Sequence, residues 1–324
     1  MTEGANRAVV SRRDRVAGGL LGVHAGDALG ATVEFSSWAS IRSRYPDGVT
    51  DIVGGGPFGW PPGHATDDTD LTRAVLLAYL APGEDVVRAA ADNMLAWLSG
   101  DWPGREPGSR PSDVGGATAT GLQRYRLTGD PRDAGAGTGR AGNGSLMRCI
   151  STGLVVTDED RRIRESMEIS AITHDDPRAT VSCAAYNEMA AALLAGAGPD
   201  EAVEHGRAVA TRLGVPAVAD AIAYGRQLRP AMLALTGQTF LADDAAGFVL
   251  DSLSLAVAAV LDARPLPDVL VDIVRIGNDT DTNAAIAGGL LGVRDGAAAL
   301  PDRWLAVLQF GAEFTEAARR LTAG

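Results

Sequence analysis

Apolar residues recur along this chain every three or four positions, the spacing that places side chains on one face of an α-helix. No stretch alternates apolar and polar residues in the way of a half-buried strand. The pattern therefore predicts an all-α protein, with helices at 12–30, 71–80, 84–98, 119–127, 145–156, 160–172, 178–196, 201–213, 216–228, 247–263, 266–277 and 282–293.

Three longer stretches, 36–66, 99–118 and 129–142, lack this periodicity and are rich in Gly and Pro. None resembles an interdomain linker, because each leads directly into a polar cluster, and no repeat period emerges. We expect one compact multi-helix domain over residues 1–324, with its motifs between 12 and 293. Long loops inside a compact domain are usually functional, so the polar clusters that follow them are the first candidates for a site.

Composition agrees with a soluble globular protein, since 46% of the residues are hydrophobic and 22% are charged. Aromatic residues make up only 5%, and Ala and Gly are abundant, which favours closely packed helices with small contact residues. No apolar run reaches the roughly 18 residues that span a bilayer, and no export signal is visible, so we expect a cytoplasmic protein. Cys149 and Cys183 fall inside helical patterns and are expected to be buried, reduced thiols.

The net charge of −12 argues against non-specific attraction to nucleic acid or to anionic membranes. Every basic residue is arginine, and no basic patch is evident. A small anionic ligand is compatible with this balance, and a nucleic-acid substrate is not excluded by it.

Two clusters of Asp and Thr stand at predicted helix starts: TDDTD at 66–70 and NDTDT at 278–282. Each could be a helix cap, because Thr and Asn favour the N-cap and the helix dipole favours acidic residues in the first turn. Both clusters carry more carboxylates than capping needs, and both offer only oxygen donors. Such donors suit magnesium, manganese or calcium, so the pair also indicates a cation site.

Three other site types are excluded by their own geometry. The segment that begins at Asp279 starts like a calcium EF-hand but has Ala284 in place of the required glycine and Leu290 in place of the glutamate. The four histidines and two cysteines show no zinc-ligand spacing. The GTGRAG segment at 137–142 fits a dinucleotide fingerprint in letters alone, since no strand precedes it.

Five segments together resemble the ADP-ribosylglycohydrolase family, which includes the dinitrogenase reductase-activating glycohydrolase and metazoan ADP-ribosyl hydrolases. They occur in the family's order, and the resemblance covers roughly residues 12–293. It implies an all-α fold with two Mg²⁺ (or Mn²⁺) ions at the bottom of an ADP-ribose cleft, and hydrolysis of the α-glycosidic bond between ADP-ribose and an acceptor. The segments are GVHAGDALGATVEF (22–35), TDDTD (66–70), GNGSLMR (142–148), THDD (173–176) and GNDTDTNAAIAGGLLG (277–292).

The resemblance also implies roles for individual residues. Glu34, Asp68 and Asp113 are the catalytic candidates. Asn278 replaces the usual glycine, and because asparagine tolerates left-handed backbone, the turn should survive. The implied metal ligands are Thr66, Asp67, Asp68, Asp279, Asp281 and Thr282, and the implied substrate contacts are Gly115, Gly116, Asn143, Gly144, Ser145, Met147 and His174.

Several alternatives stay open at this point. His174 could instead cap or pack, Met147 could belong to the core, and Asp113 could cap the following helix. The whole protein could be a catalytically weak ADP-ribose-binding or crystallin-like structural member of the fold. A phosphatase or nucleotidase that uses the same carboxylates is a further rival, but it would need no ribose loop, so the segments at 113–118 and 142–144 argue against it. We expect a monomer acting on an ADP-ribosylated protein or small molecule, with arginine, serine, O-acetyl groups and nucleobases all open as acceptors.

Overall fold

The computed structural model describes residues 10–81, 83, 85–237 and 246–323. Within these residues the chain forms sixteen α-helices and two short 3₁₀ helices, Pro131–Asp133 and Ala297–Ala299. The α-helices are α1 (Arg12–Gly30), α2 (Trp38–Arg44), α3 (Asp67–Leu80), α4 (Val86–Ser99), α5 (Gly116–Thr128), α6 (Ile150–Val155), α7 (Glu159–Ala171), α8 (Pro177–Leu194), α9 (Pro199–Arg212), α10 (Pro216–Gly225), α11 (Pro230–Thr236), α12 (Val249–Leu261), α13 (Leu266–Ile276), α14 (Thr280–Asp295), α15 (Asp302–Leu305) and α16 (Gly311–Leu321).

The all-α prediction is confirmed, because β-pairing among the described residues is limited to isolated bridges. Cys149 and Cys183 are buried and free, as expected. None of the helices in the described ranges is long and apolar enough to cross a membrane. Residue 84, where one helix was predicted to begin, and residues 1–9 and 324 of the predicted domain lie outside the described residues.

Some helix boundaries differ from the predicted ones. The stretch 36–66 contains α2, and α11, α15 and α16 had no counterpart in the predicted list. The prediction of a helix from 145 was wrong at its start. Residues 145–148 form a turn, and α6 begins only at Ile150.

Helices α1 and α14 lie antiparallel and almost entirely buried. Glycines recur every fourth residue along α1, and we call these four the glycine row. A Cβ on three of them would overlap the carbonyl oxygens of Gly292, Gly288 and Ala284, and one on the last would overlap the backbone at Asp281. The two backbones therefore touch, and the end of α1 lies beside the start of α14. The glycine row is Gly18, Gly22, Gly26 and Gly30.

Asp27, a buried residue of α1, binds the start of helix α3. One carboxylate oxygen of Asp27 accepts hydrogen bonds from the backbone N–H groups of Thr66 (3.1 Å) and Thr69 (3.2 Å) and from the Thr69 hydroxyl (2.5 Å). The start of α3 thereby meets the end of α1. The two Asp/Thr clusters, more than 200 residues apart in sequence, become neighbours.

Candidate active site

Seven carboxylates lie together where α1 ends and α3 and α14 begin. Oxygen atoms of Glu34, Asp113 and Asp281 all lie within 4.8 Å of one another. One oxygen of Asp68 accepts hydrogen bonds from the hydroxyls of Thr66 and Thr282, each at 3.3 Å, which joins the two Asp/Thr clusters directly. We call this group the acidic cluster: Asp27, Glu34, Asp67, Asp68, Asp113, Asp279 and Asp281.

The turn at Asn278 positions Glu34. The Asn278 carbonyl accepts a hydrogen bond from the Phe35 N–H (2.8 Å), and the Asn278 N–H donates to the carbonyl of Ser36 (2.9 Å). Asn278 adopts the left-handed conformation that the sequence predicted for it, with φ of 63°. Neighbouring Gly277 has room for no side chain, because a Cβ there would lie 2.8 Å from the Ser36 carbonyl oxygen. This close approach holds Glu34 beside Asp279.

Burial and mutual repulsion disfavour the charged forms of these groups. Burial first, and then the charges of Asp113 and Asp279, raise the pKa of Glu34 to about 8. Burial raises the pKa of Asp27 to about 7, although its hydrogen bonds from the threonines oppose the shift. Burial also raises the pKa values of Asp67, Asp68, Asp113, Asp279 and Asp281, and neighbouring carboxylates add to the shift for all of these except Asp279.

The acidic cluster fits divalent cations with oxygen ligands. Four of its oxygen atoms are buried and have no hydrogen-bond partner among the described residues: Asp27 Oδ1, Glu34 Oε2, Asp68 Oδ1 and Asp281 Oδ1. Unpaired buried carboxylate oxygens cost several kcal/mol each unless something pairs with them. A hard cation such as magnesium is bound by donors of this kind.

The capping interpretation holds for one cluster only. Thr66 is the N-cap of α3, and its hydroxyl accepts from the Asp68 N–H (3.3 Å). Helix α14 begins at the N-cap Asp279 without a side-chain capping hydrogen bond. Asp113 does not cap α5 either, because the N-cap there is Gly115. The Asp113 carboxylate therefore has no capping duty.

A cavity of about 440 Å³ opens on the acidic cluster. This volume lies in the range of about 300–1,000 Å³ that is typical of small-molecule sites. Carboxylates of the acidic cluster, the uncapped first turn of α5 and the glycine-containing turn after residue 141 all contribute to its walls. The lining includes Glu34, Phe35, Asp67, Asp113, Gly115, Gly116, Ala117, Thr118, Gly142, Asn143, Gly144, Met147, His174, Asn278, Asp279 and Thr282.

Asn143 and His174 contribute to the cavity in different ways. The Asn143 amide donates hydrogen bonds to Asp279 (2.6 Å) and to the Ser252 hydroxyl (3.0 Å), so it orients a carboxylate of the acidic cluster. The His174 ring lies close to Gly144, where a Cβ would be 3.0 Å from it. Burial lowers the pKa of His174 to about 3, so the ring is neutral near pH 7.

The structure does not bring the Ser145 side chain to the cavity. Its hydroxyl accepts a hydrogen bond from Ser170 (2.8 Å) and lies 3.5 Å from the Cys183 sulfur, on the core side of the turn. The Met147 side chain lines the cavity but is only 3% exposed. Ser145 therefore serves the packing behind the site, while Gly144 and Met147 face it.

The profile of the ADP-ribosylglycohydrolase family matches residues 8–324. The chain belongs to the ADP-ribosylglycohydrolase family. It is a hydrolase by that membership, as the motifs predicted.

Two curated relatives and one solved structure show how far the similarity extends. The chain is 29% identical to the ADP-ribosyl-(dinitrogen reductase) glycohydrolase of Rhodospirillum rubrum, over 94% of this chain and 93% of that protein. It is 27% identical to the ADP-ribosylarginine hydrolase Tri1 of Pseudomonas putida, over 95% and 78%. A structure titled ADP-ribosylglycohydrolase-related protein complex superimposes with a TM-score of 0.80 at 27% identity, covering 97% and 98% of the two chains.

Sequence reasoning missed Asp27, although it lies in the first motif of this ADP-ribosylglycohydrolase. The available signal was the single carboxylate of the largely apolar stretch 16–30, which must find partners when it is buried. Asp70 of the TDDTD segment serves another purpose. It faces away from the acidic cluster, pairs with Arg105 (2.7 Å) and accepts hydrogen bonds from Trp97 and Trp102.

Proposed function

We propose that this protein binds ADP-ribose in the cavity and hydrolyses the α-glycosidic bond that joins it to an arginine side chain. The observation that carries the proposal is a cavity whose walls contain both carboxylates of the acidic cluster and the uncapped backbone N–H groups at the start of α5. Breaking a glycosidic bond builds positive charge on the ribose C1, which carboxylates stabilise. The N–H groups at the start of α5 suit a pyrophosphate.

The cations are proposed to be two Mg²⁺ ions, with Mn²⁺ as the alternative. They would be held by the Asp/Thr clusters, through Thr66, Asp67, Asp68, Asp279, Asp281 and Thr282. A bound ion would supply a water molecule of lowered pKa. The buried oxygens of Asp68 and Asp281 that lack partners support this assignment.

Glu34 and Asp113 are the proposed proton-transfer groups. Both line the cavity, and their oxygens lie within 4.8 Å of each other and of Asp281. Neither belongs to the two Asp/Thr clusters that are assigned to the cations. Each carboxyl group is therefore left to exchange a proton with the water molecule or with the leaving guanidine. Asp68 is fully buried and pairs with Thr66 and Thr282, which supports a role as metal ligand over a role as base.

Arginine is proposed as the acceptor because one relative is named an ADP-ribosylarginine hydrolase. The test is a panel of ADP-ribosylated acceptors, linked through arginine, serine or an O-acetyl group, incubated with protein and Mg²⁺ while free ADP-ribose is measured. We expect ADP-ribose to be released fastest from the arginine conjugate. Faster release from the serine or acetyl conjugate would show that arginine is not the preferred acceptor, and it would leave the glycohydrolase assignment intact.

A non-catalytic ADP-ribose-binding protein is the rival function. The carboxylates that a metal centre needs are all present and brought together, which favours the enzyme. The same panel separates the two, because a binding protein would take up ADP-ribose without releasing it from any conjugate.

A further inference from the structure

Four aromatic rings run in series from Phe35, in the wall of the large cavity, to His64, in the wall of a smaller one. The ring centroids are 6.5 Å apart between Phe35 and Phe58, 5.3 Å between Phe58 and Trp60, and 4.3 Å between Trp60 and His64. Phe35 is 65% exposed and Phe58 is 37% exposed. Single exposed apolar side chains are common, but a continuous set beside a cavity marks a binding surface. We call Phe35, Phe58 and Trp60 the aromatic rim.

The aromatic rim is pre-formed by the backbone beneath it. Phe35 has a positive φ of 59°, and its N–H is held by the Asn278 carbonyl. Trp60 exchanges two backbone hydrogen bonds with Gly55 (2.7 and 2.8 Å), which makes a tight loop with Phe58 near its tip. A Cβ on Gly56 of that loop would overlap the Ala31 carbonyl, so the loop packs directly against the chain after α1. A binding surface whose backbone is already fixed loses less entropy on binding a ligand than a mobile one.

The aromatic rim connects two cavities around the acidic cluster. Phe35 follows Glu34 and lines the large cavity. Trp60 lines a second, smaller cavity of about 80 Å³, and the two cavities share Asp67 and Asp113 in their walls. The indole Nε1 of Trp60 is buried and has no hydrogen-bond partner among the described residues. A ligand that leaves the acidic cluster on this side therefore meets aromatic faces.

We propose that the aromatic rim is the acceptor subsite, and that it recognises the planar guanidinium of an arginine and the peptide that carries it. This inference rests on the proposed function, which places the ribose C1 at the acidic cluster and the acceptor next to it. A guanidinium over an aromatic face gains about 0.5–2 kcal/mol, depending on how far it is desolvated. The carboxylates of the acidic cluster beside the aromatic rim complement the positive charge of the guanidinium.

Charges in the smaller cavity assign the guanidinium to a position outside it. Arg105, paired with Asp70 at 2.7 Å, and Arg110 both line that cavity. A further cation placed between these arginines would be repelled. The acceptor guanidinium is therefore assigned to the faces of Phe35 and Phe58, with the peptide continuing toward Trp60.

The test compares the KM for an ADP-ribosylarginine peptide with the Kd for free ADP-ribose in the full-length protein with Mg²⁺. Phe58→Ala and Phe35→Leu are each expected to raise the KM about tenfold, which corresponds to about 1.4 kcal/mol. Phe58→Ala should leave the Kd for ADP-ribose unchanged, because ADP-ribose lacks the acceptor and Phe58 is not among the residues that line the large cavity. Phe35→Tyr keeps an aromatic face and should retain a near-normal KM. Leu127→Ala, an 80% exposed apolar residue at the far end of α5, is the control and should change neither constant.

The outcomes separate the subsite from the proposed function. If wild-type protein releases ADP-ribose from the arginine peptide but Phe58→Ala and Phe35→Leu keep its KM within twofold, the acceptor subsite is overturned and the glycohydrolase assignment stands. An equal loss of affinity for ADP-ribose itself in Phe58→Ala would also overturn it, since the rim would then bind the common part of the substrate. If wild-type protein releases no ADP-ribose from the peptide, the proposed function fails and the subsite falls with it.

Discussion

Asp113 is the residue at which a catalytic and a structural role can be separated most cleanly. It lies in the cavity wall within 4.8 Å of Glu34 and Asp281, and it caps no helix. We predict that Asp113→Ala lowers turnover about a hundredfold or more, the usual scale for an acid–base group. ADP-ribose affinity should fall much less, because backbone groups and the cations make most of the binding contacts.

Turnover and calorimetric Kd are measured on the same preparation, with exposed Asp101→Ala as the control. Normal turnover in Asp113→Ala would remove Asp113 from the chemistry and leave Glu34 as the base.

His24 makes a residue-scale prediction about pH. It is fully buried, its Nε2 lies 3.2 Å from the Gly63 carbonyl oxygen, and burial lowers its pKa to about 3. In the unfolded chain the His24 side chain takes up a proton near pH 6.5, whereas in the folded chain it stays neutral down to about pH 3. This group therefore stabilises the fold above pH 6.5, and its contribution is lost as pH falls toward 3, by about 1.4 kcal/mol per pH unit.

The measurement is the free energy of unfolding in urea at pH 6.5, 5.5 and 4.5. His24→Leu should flatten the pH dependence by one proton, whereas Leu127→Ala, an exposed residue without a titratable group, should leave the slope as it is. An unchanged slope in His24→Leu would show that His24 is protonated in the fold.

Several site residues could be located from sequence and others could not. The motifs placed Glu34, Asp67 and Asp279 beside one cavity, and asparagine's tolerance of positive φ predicted the turn at 278. Side-chain direction was beyond the sequence, because it depends on which neighbour a turn faces. Ser145 points to Ser170 for that reason, and Asp27 shows its importance only once Thr66 and Thr69 are seen to bind it.

The glycine row is the element on which the position of the site depends. Its backbone contact with α14 puts the end of α1 beside Asp281, so any side chain in the row pushes the two helices apart. We predict that Gly22→Ala, which would overlap the Gly288 carbonyl, lowers the free energy of unfolding by about 1–3 kcal/mol or more. Gly116→Ala, where no atom lies within 4 Å, is the control. A urea midpoint equal to that of wild type would contradict this packing.

Helical periodicity identified long helices well and short ones poorly. α1, α8 and α14 carry enough turns for their pattern to stand out, whereas α2 has seven residues inside a stretch rich in Gly and Pro. The abundance of small residues predicted close helix packing. Which helices would pair, and in what register, depends on contacts between distant segments that composition does not encode.

At the scale of the whole molecule, the acidic cluster concentrates repulsion in one place. A cation that binds only the folded state stabilises it by about 2.7 kcal/mol at a hundredfold excess over its Kd. We predict that Mg²⁺ or Mn²⁺ raises the thermal midpoint of chelator-treated protein, and that Asp281→Asn removes most of the rise. Exposed Asp160→Asn is the control. A thermal midpoint that changes neither with chelator nor with added metal would rule out a metal centre.

The most direct test of the central claim is the time course of free ADP-ribose release from an ADP-ribosylarginine peptide by the full-length protein. With Mg²⁺, we expect release of ADP-ribose and unmodified peptide in equal amounts. The rate should fall about a hundredfold or more after chelation, recover when Mg²⁺ or Mn²⁺ is restored, and not recover in Asp281→Asn. Tight binding of ADP-ribose without release from the arginine, serine or acetyl conjugates, in either metal, would contradict the account and establish a binding protein in its place.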